Sequence, residues 1–330
     1  MNIRTLLWDA AKVGSKRALP ILSFPAAQKL GVTVEALVKS AEMQAKAMEI
    51  VARDTDTIAA VSLMDLSVEA EAFGAKVRFT PDEVPAIVGQ LISDEDKANA
   101  LEVPDMTAGR AALCVEAVHT AKQHIADKPV LAGMIGPYSL AGRLCDVTEI
   151  MYLCFDEPET VHAVLDKSTQ YLIRYGQAMK AAGADGIMMA EPLAGILSPD
   201  MADEFSMPYV KRIIDALQDD EFAVIYHNCG NSVPQMLDQI YSLGADAYHF
   251  GNAIDMEAVL KATPANILVM GNIDPAGQFA SGTAASITAA TRDLLAKCGS
   301  YPNFVPSSGC DIPAHAKWEN IDAFFAAVNG

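Results

Sequence analysis

The chain has 330 residues, of which 51% are hydrophobic, so it is long and apolar enough to bury a substantial core. Lys and Arg total 24 against 42 Asp and Glu; the formal charge of −18 argues against a nucleic-acid-binding protein. No apolar run approaches the length of a membrane span, and the charged segment Met1–Arg17 does not fit a signal peptide. The composition predicts a soluble cytoplasmic protein with no membrane partner.

Short apolar runs alternate with longer segments of helical period along most of the chain. The runs predict eight strands, at residues 19–24, 57–63, 129–135, 185–190, 222–227, 245–250, 266–271 and 303–306. Helical spacing predicts helices at 34–52 and 160–182, and a third from Ser198 that breaks at Pro208. Residues 73–127 are less regular, and we expect extra helices there. This alternation predicts a single α/β domain over residues 1–330, a (β/α)8 TIM barrel with extra N-terminal helices.

Metal-binding side chains lie where predicted strands end, which is where (β/α)8 barrels carry their active sites. His227 and Cys229 are two residues apart after one strand, so on extended backbone they point the same way. Cys310 follows the last predicted strand. One imidazole and two thiolates suit zinc and leave a fourth position open to a substrate. We therefore predict a catalytic zinc site at His227, Cys229 and Cys310; the alternative is a buried histidine with two inert thiols.

The ligand set also indicates a type of chemistry. A zinc ion with two thiolate ligands is formally neutral, and the thiolate of a bound substrate makes the centre anionic. Such a centre keeps the substrate sulfur ionised near neutral pH but still electron-rich, whereas it is less suited to ionising water. The ligands therefore favour alkylation of a thiol over hydrolysis. In contrast, the cysteines at 114, 154 and 298 lie in apolar stretches and are predicted to be free, buried thiols.

Four further polar residues at strand ends are candidates for contact with the reacting groups. Glu191 is predicted to be catalytic, by supporting a metal ligand or protonating a bound group. Its alternative role is that of a carboxylate bonded to backbone N–H groups at the start of a helix. Glu69, Asn272 and Asp274 are predicted to contact substrate; the alternatives are a solvated acid for Glu69 and an ordinary turn for Asp274. His249 is interpreted as a histidine packed in the barrel wall.

Several motifs carry a family resemblance that runs through the chain in order. They are His227-Asn-Cys-Gly-Asn231, Gly271-Asn-Ile-Asp-Pro275, Ser308-Gly-Cys-Asp-Ile-Pro313, Gly136-Pro-Tyr-Ser-Leu-Ala141 and Glu191-Pro-Leu-Ala194. Together they resemble the uroporphyrinogen decarboxylase superfamily. The His-x-Cys-Gly motif with the late Gly-Cys pair is similar to its zinc-dependent methyltransferase branch, typified by methylcobamide:coenzyme M methyltransferase.

The resemblance implies a (β/α)8 barrel, zinc held by His227, Cys229 and Cys310, and a methylcorrinoid as methyl donor. No Asp-x-His-x-x-Gly corrinoid-binding segment occurs in the chain, so the corrinoid is expected on a separate small protein. The implied activity is methyl transfer to a small thiol such as coenzyme M. The alternatives are a tetrahydrofolate-type acceptor and a non-catalytic homologue that binds zinc or a corrinoid. Uroporphyrinogen decarboxylation is the least favoured, because residues Leu22–Lys29 lack the arginines expected for its polycarboxylate substrate.

Overall fold

A computed structural model describes residues 2–330 and shows an α/β architecture built on a curled parallel sheet. The strands are β1 Ala60–Val61, β2 Lys76–Arg78, β3 Ala86–Val88, β4 Val130–Ile135, β5 Gly186–Ala190, β6 Ala223–Asn228, β7 Ala247–Phe250, β8 Val269–Ile273 and β9 Phe304–Ser308. Seven of them form the parallel sheet, in the order β1-β4-β5-β6-β7-β8-β9, and β2 pairs with β3 as an antiparallel hairpin. The carboxyl ends of the seven strands therefore meet at one edge.

Helices cover the sheet and precede its first strand. They are α1 Ile3–Ala10, α2 Ala26–Leu30, α3 Val34–Val38, α4 Ala41–Asp54, α5 Val68–Ala72, α6 Glu95–Ala100, α7 Ala111–His124, α8 Pro137–Cys145, α9 Val147–Asp156, α10 Pro158–Ala181, α11 Pro199–Phe205, α12 Met207–Leu217, α13 Leu237–Ser242, α14 Met256–Ala262, α15 Ala284–Cys298 and α16 Trp318–Asn329. Short 3-10 turns lie at Leu193–Ile196 and Val233–Gln235, and a π-helical turn at Pro275–Ala280. No helix within residues 2–330 is long and apolar enough to cross a bilayer.

The two faces of the sheet pack into separate apolar clusters. Leu131, Met188 and Ile225 belong to a cluster on the inner face, together with residues of α1. Alternate strand residues such as Ile187 and Val224 belong to the larger cluster that the helices cover. This alternation follows from the two-residue period of a strand, and burial on both faces explains the nearly continuous apolar runs in the sequence.

Seven of the eight predicted strands are present in the parallel sheet, but the prediction of a strand at 19–24 is wrong. The Leu19 N–H does donate to the Pro306 carbonyl of β9, at 3.1 Å. Pro20 has no N–H to continue a ladder, and the Ile21 N–H donates to the Ser308 side chain instead of a backbone oxygen. The segment lies beside β9 without completing a regular strand.

The helix predictions are partly confirmed. The helix at 160–182 corresponds to α10, and Ser198 caps α11, with its side chain accepting from the Met201 N–H. The break near Pro208 separates α11 from α12. The predicted helix at 34–52 is wrong as one element, because Ser40 has extended backbone and caps a new helix, α4. In the stretch 73–127, α6 and α7 confirm extra helices, while the hairpin β2–β3 was not predicted.

Candidate metal centre at the carboxyl ends of the strands

Three of the predicted site residues lie together. His227 is near the end of β6, Cys229 follows that strand, and Cys310 follows β9. A ring nitrogen of His227 and the two sulfurs all lie within 4.8 Å of one another. The Cys310 Sγ is 3.5 Å from the His227 Nε2. Parallel strands bring residues that are distant in sequence to one edge, and here the edge gathers one imidazole and two thiols.

The loop that carries Cys229 is held on both sides. The Asn228 side chain is fully buried, and its oxygen accepts from the Gly230 N–H at 2.9 Å, which bends the chain around Cys229. Close packing fixes the loop further: a Cβ on Gly251 would lie 2.6 Å from the Cα of Cys229, and one on Gly230 would overlap the backbone of Gly195. The glycines at these positions therefore let neighbouring backbones approach the ligand loop.

The second ligand loop is tied to the strands beside it. The Gly309 N–H donates to the Ile273 carbonyl at 2.6 Å, and the Ile312 N–H donates to the Ile21 carbonyl at 3.0 Å. Cys310 lies between these two hydrogen bonds and is partly buried. Its position therefore depends on β8 and on the segment before α2, not only on its own strand.

The two thiols influence each other strongly. A hydrogen bond from Cys310 lowers the pKa of Cys229 below its ordinary value. The hydrogen bond to Cys229 and burial raise the pKa of Cys310. The first thiol therefore ionises readily, and a second negative charge beside it is opposed by the first.

The separation of two ligand atoms in this cluster matches the separation expected around a tetrahedral zinc ion. Zinc bonds of about 2.3 Å to sulfur and about 2.0 Å to nitrogen place those two ligand atoms about 3.5 Å apart in a tetrahedron. The observed separation of Cys310 Sγ and His227 Nε2 is 3.5 Å. The donor set of one nitrogen and two sulfurs also matches the preference of zinc. His227, Cys229 and Cys310 therefore have both the geometry and the chemistry to bind zinc with one coordination position left for a substrate.

The other nitrogen of His227 has buried polar partners. Its Nδ1 is 2.8 Å from the His249 Nδ1 and 3.2 Å from the His249 carbonyl oxygen. The Nε2 of His249 is 2.7 Å from the Ser307 Oγ. Burial, with a further contribution from His227, lowers the pKa of His249 well below its usual value, which keeps its ring neutral. The sequence predicts His249 only as a residue of the barrel wall, whereas its ring also contacts the cluster through His227.

Glu191 lies next to β6, but its carboxylate points at the start of a helix. Its two oxygens accept hydrogen bonds from the backbone N–H groups of Tyr138, at 3.0 Å, and Ser139, at 2.6 Å. Burial raises the pKa of Glu191 to about 7, although these hydrogen bonds favour the ionised form. Its own N–H donates to the His227 carbonyl at 2.8 Å. This geometry matches the alternative role of helix-start carboxylate, and a catalytic role stays a prediction.

Glu69 is buried in α5, with 2% of its surface exposed. One carboxyl oxygen accepts from the Ile135 N–H at 3.0 Å, and the other has no partner among residues 2–330. Burial raises its pKa to about 7. The alternative of a solvated surface acid is therefore wrong, while contact with substrate stays a prediction.

Asn272 and Asp274 both hold backbone groups near the end of β8. The Asn272 side chain donates to the carbonyls of Gly251 and Ile254, at 2.9 and 3.1 Å. The Asp274 carboxylate accepts from two N–H groups of the π-helical turn that follows it. Both residues line a cavity of about 380 Å³ whose lining includes none of the three proposed zinc ligands. Their predicted contact with substrate is untested by this geometry.

A buried ion-pair network near the same edge was not foreseen. The Arg110 guanidinium binds the carboxylates of Asp65 and Glu71, with the latter contact at 2.6 Å, and donates to the Ser67 hydroxyl at 2.7 Å. Arg110 is 7% exposed and stacks on Phe79. The acids precede the arginine by about 40 residues, so only the fold reveals that they share one cation. This network fixes the segment after β1.

Comparison with known proteins matches this architecture. The family model for uroporphyrinogen decarboxylase (URO-D) matches residues 16–330. The chain is 25% identical over 235 residues to the methylcobamide:CoM methyltransferase MtbA of Methanosarcina acetivorans, covering 70% of this chain and 68% of that protein. It is 28% identical over 287 residues to the uroporphyrinogen decarboxylase of Aeromonas salmonicida, covering 82% and 78%.

A solved structure of a methyltransferase from Methanosarcina mazei has the same fold. The TM-score is 0.89 at 22% sequence identity, and the match covers 99% of this chain and 98% of the other. At this identity the likeness establishes the fold, whereas the chemistry has to be argued from the residues of the site.

Proposed function

This chain belongs to the uroporphyrinogen decarboxylase family, and from that premise we propose that it is a zinc-dependent methyltransferase. It moves a methyl group from a methylated corrinoid, carried by a separate small protein, to a thiol such as coenzyme M. The single observation that carries this proposal is the cluster of His227, Cys229 and Cys310, whose ligand atoms lie within 4.8 Å of one another. The relative named methylcobamide:CoM methyltransferase supports the same substrates.

The three residues act by holding a metal and leaving one side of it open. His227 contributes a neutral nitrogen, and Cys229 and Cys310 contribute two negative charges that balance a divalent ion. Bound zinc would supply the positive charge that keeps an acceptor thiol ionised near neutral pH. In the transfer, an S–CH3 bond forms as the Co–CH3 bond breaks. The electron pair of the broken bond stays on cobalt, and the thiol proton passes to solvent.

We assign the corrinoid to a partner protein because residues 1–330 lack a recognisable corrinoid-binding motif. Residues 1–330 contain no Asp-x-His-x-x-Gly segment of the kind that binds a corrinoid. The macrocycle would have to approach the carboxyl edge of the sheet, where Cys229 and Cys310 are each partly exposed. Partial exposure of both sulfurs fits a donor that arrives from outside.

Uroporphyrinogen decarboxylation is the second candidate, because relatives of that name are 28% identical to this chain. Two features argue against it. The segment Leu22–Lys29 holds no arginine for a polyanionic substrate, and Arg110 is already paired with two carboxylates. A chain with a net charge of −18 would also repel such a substrate. The cluster of three zinc-type ligands favours methyl transfer.

We also propose that the sheet closes into a (β/α)8 barrel and that residues 1–330 form one domain. The segment from Ala18 to Leu22 supports closure, because it lies between the two outermost strands. The Leu19 N–H donates to Pro306 of β9, and the Ile58 N–H, just before β1, donates to the Ala18 carbonyl. This segment would take the position of the eighth strand in the barrel wall. The cytoplasmic location likewise remains a proposal.

The proposed function is tested by incubating zinc-loaded protein with methylcobalamin and a panel of thiols that includes coenzyme M. We expect the methylcobalamin absorbance to fall while an S-methyl product accumulates in equal amount. X-ray absorption at the zinc edge should show an added sulfur neighbour at about 2.3 Å when the thiol binds.

Cys310→Ser should be inactive. Its matched control is Cys298→Ser, which should be active at the wild-type rate. Formation of coproporphyrinogen from uroporphyrinogen would overturn the choice between the two candidates. Methyl transfer without a sulfur entering the zinc shell would overturn the proposed role of zinc.

A further inference from the structure

We infer that His249 and Ser307 are positioning residues for the zinc site, because a hydrogen-bonded chain through them determines which ring nitrogen of His227 faces Cys310. The inference rests on the proposed zinc site at His227, Cys229 and Cys310. It concerns two residues that do not themselves reach the metal position.

His227, His249 and Ser307, the three residues joined by these hydrogen bonds, form one layer on the inner face of the sheet. Each follows, two positions later, an apolar residue of the inner cluster; the pairs are Ile225 and His227, Ala247 and His249, and Val305 and Ser307. Since strand side chains alternate between faces, the polar layer lies directly above the apolar one. His227 pairs with His249 in the register of β6 and β7. His227 is 2% exposed, and His249 and Ser307 are 0% exposed.

The direction of each hydrogen bond in this series can be assigned from its last member, the Leu19 carbonyl oxygen, because a carbonyl cannot donate. The Ser307 Oγ lies 2.6 Å from the Leu19 carbonyl oxygen, which can only accept, so the hydroxyl hydrogen points there. Ser307 Oγ therefore accepts from the Nε2–H of His249, at 2.7 Å. An imidazole with one hydrogen, carried on Nε2 towards Ser307, has an acceptor at Nδ1. The Nδ1 of His227, at 2.8 Å, must then carry the donated hydrogen.

A second contact leads to the same assignment. The His227 Nδ1 also lies 3.2 Å from the backbone oxygen of His249, and a carbonyl oxygen cannot donate. Both neighbours of this nitrogen are therefore acceptors. The hydrogen stays on Nδ1, so the Nε2 lone pair of His227 faces the Cys310 sulfur 3.5 Å away.

This arrangement prepares the ligand before any metal arrives. A metal-binding imidazole must present a lone pair, and a partner on its other nitrogen fixes both the tautomer and the ring orientation. Loss of such a partner typically weakens metal binding by about 10- to 100-fold. Because the backbone oxygen of residue 249 would remain, we expect the lower end of that range for changes at the His249 side chain.

The test compares zinc dissociation constants, measured by chelator competition, for two substitutions at one position. His249→Phe keeps the ring shape but removes the acceptor, and we expect zinc to bind about tenfold more weakly. His249→Asn places an oxygen near the former Nδ1 and should bind zinc within about threefold of wild type. His162→Phe is the matched control, because the His162 ring packs against an aromatic ring, with centroids 5.0 Å apart from Phe205, but has no contact with the cluster. It should leave zinc binding unchanged.

The ring-nitrogen chemical shifts of zinc-free wild-type protein give a readout that requires no variant to fold. We expect His227 to be protonated at Nδ1 and unprotonated at Nε2 at pH 8. The opposite tautomer would overturn the inference, as would wild-type zinc affinity in folded His249→Phe. If Cys310→Ser also retains zinc, the proposed zinc site itself is wrong. If Cys310→Ser loses zinc while His249→Phe retains it, only the positioning role fails.

Discussion

The Glu191 carboxylate accepts a 2.6 Å hydrogen bond from the backbone N–H of Ser139, in the first turn of α8. Its other oxygen accepts from Tyr138, so the carboxylate satisfies two N–H groups that a helix start leaves without partners. A Cβ on Gly136 would lie 2.5 Å from the same carboxylate, which explains the glycine before the helix. Glu191 therefore links α8 to the end of β6, where its own N–H bonds to His227.

Glu191→Gln should therefore destabilise the fold while leaving zinc bound. The amide retains one acceptor oxygen but places an NH2 group against the second backbone N–H, so one buried donor loses its partner. The expected cost is about 2 kcal/mol at pH 5, below the pKa of about 7, where the protonated carboxyl still offers two oxygens and carries no cost of ionisation; urea unfolding measures it. Zinc content should remain at one ion per chain.

The control for this change is Glu116→Gln on the exposed surface of α7, which should leave the urea midpoint unchanged. A fully stable Glu191→Gln protein that binds zinc but has lost methyl transfer would contradict the structural role. That result would favour the catalytic role predicted from the sequence.

Substitution of the cysteines should separate the metal site from the core thiols. Purified protein is expected to hold about one zinc per chain, and Cys229→Ser or Cys310→Ser should each lose most of it, because a neutral hydroxyl is a poor zinc ligand. Cys298→Ser should retain zinc, since Cys298 is buried at the end of α15. Metal analysis after gel filtration measures all three. Equal zinc content in the three variants would remove the basis for the site.

Most strands could be predicted from the sequence because burial on both faces makes them continuous apolar runs. The same rule wrongly predicted a strand at residues 19–24. This segment is apolar and largely buried, but Pro20 interrupts the backbone hydrogen bonds that a strand requires. The hairpin β2–β3 escaped prediction because each strand has three residues and both are partly or fully exposed. Apolar pattern identifies buried elements, and it carries little information about short exposed ones.

The clustering of His227, Cys229 and Cys310 could be predicted because His227 and Cys229 share a strand end and Cys310 follows another strand of the same sheet. The role of His249 could not, because its contact with His227 depends on the pairing of β6 with β7. Glu191 likewise looked like a site residue from its position alone. Only the direction of its carboxylate, towards α8 and away from open space, shows what it binds.

Arg110→Ala should destabilise the protein strongly. The change leaves the carboxylate of Asp65, which is 6% exposed, without its cation, and an uncompensated buried charge typically costs about 3 kcal/mol or more. Arg212→Ala is the matched control, because Arg212 pairs with Asp166 at an exposed site, where loss costs less than about 1 kcal/mol. Chemical unfolding measures both. Adding Asp65→Asn to Arg110→Ala should recover part of the loss, and a double variant no more stable than Arg110→Ala would argue against this cause.

The buried carboxyl of Glu69 should make stability depend on pH in a defined window. Its pKa is raised from 4.5 to about 7 by burial, so between these values the folded chain keeps a proton that the unfolded chain has lost. Protonation of Glu69 therefore favours folding near pH 4.5, and the contribution of Glu69 to stability falls as the pH rises from 4.5 to 7. Glu69→Gln cannot ionise and should escape this loss, which amounts to about 3 kcal/mol across the window.

The measurement is the difference in unfolding free energy between wild type and Glu69→Gln at pH 4.5 and at pH 7.5. The variant should gain stability relative to wild type as pH rises, with Glu116→Gln showing no such trend. A difference that stays constant between the two pH values would mean that Glu69 ionises at the same pH in the folded and unfolded chain, and that its unpartnered oxygen is stabilised by a group other than a proton.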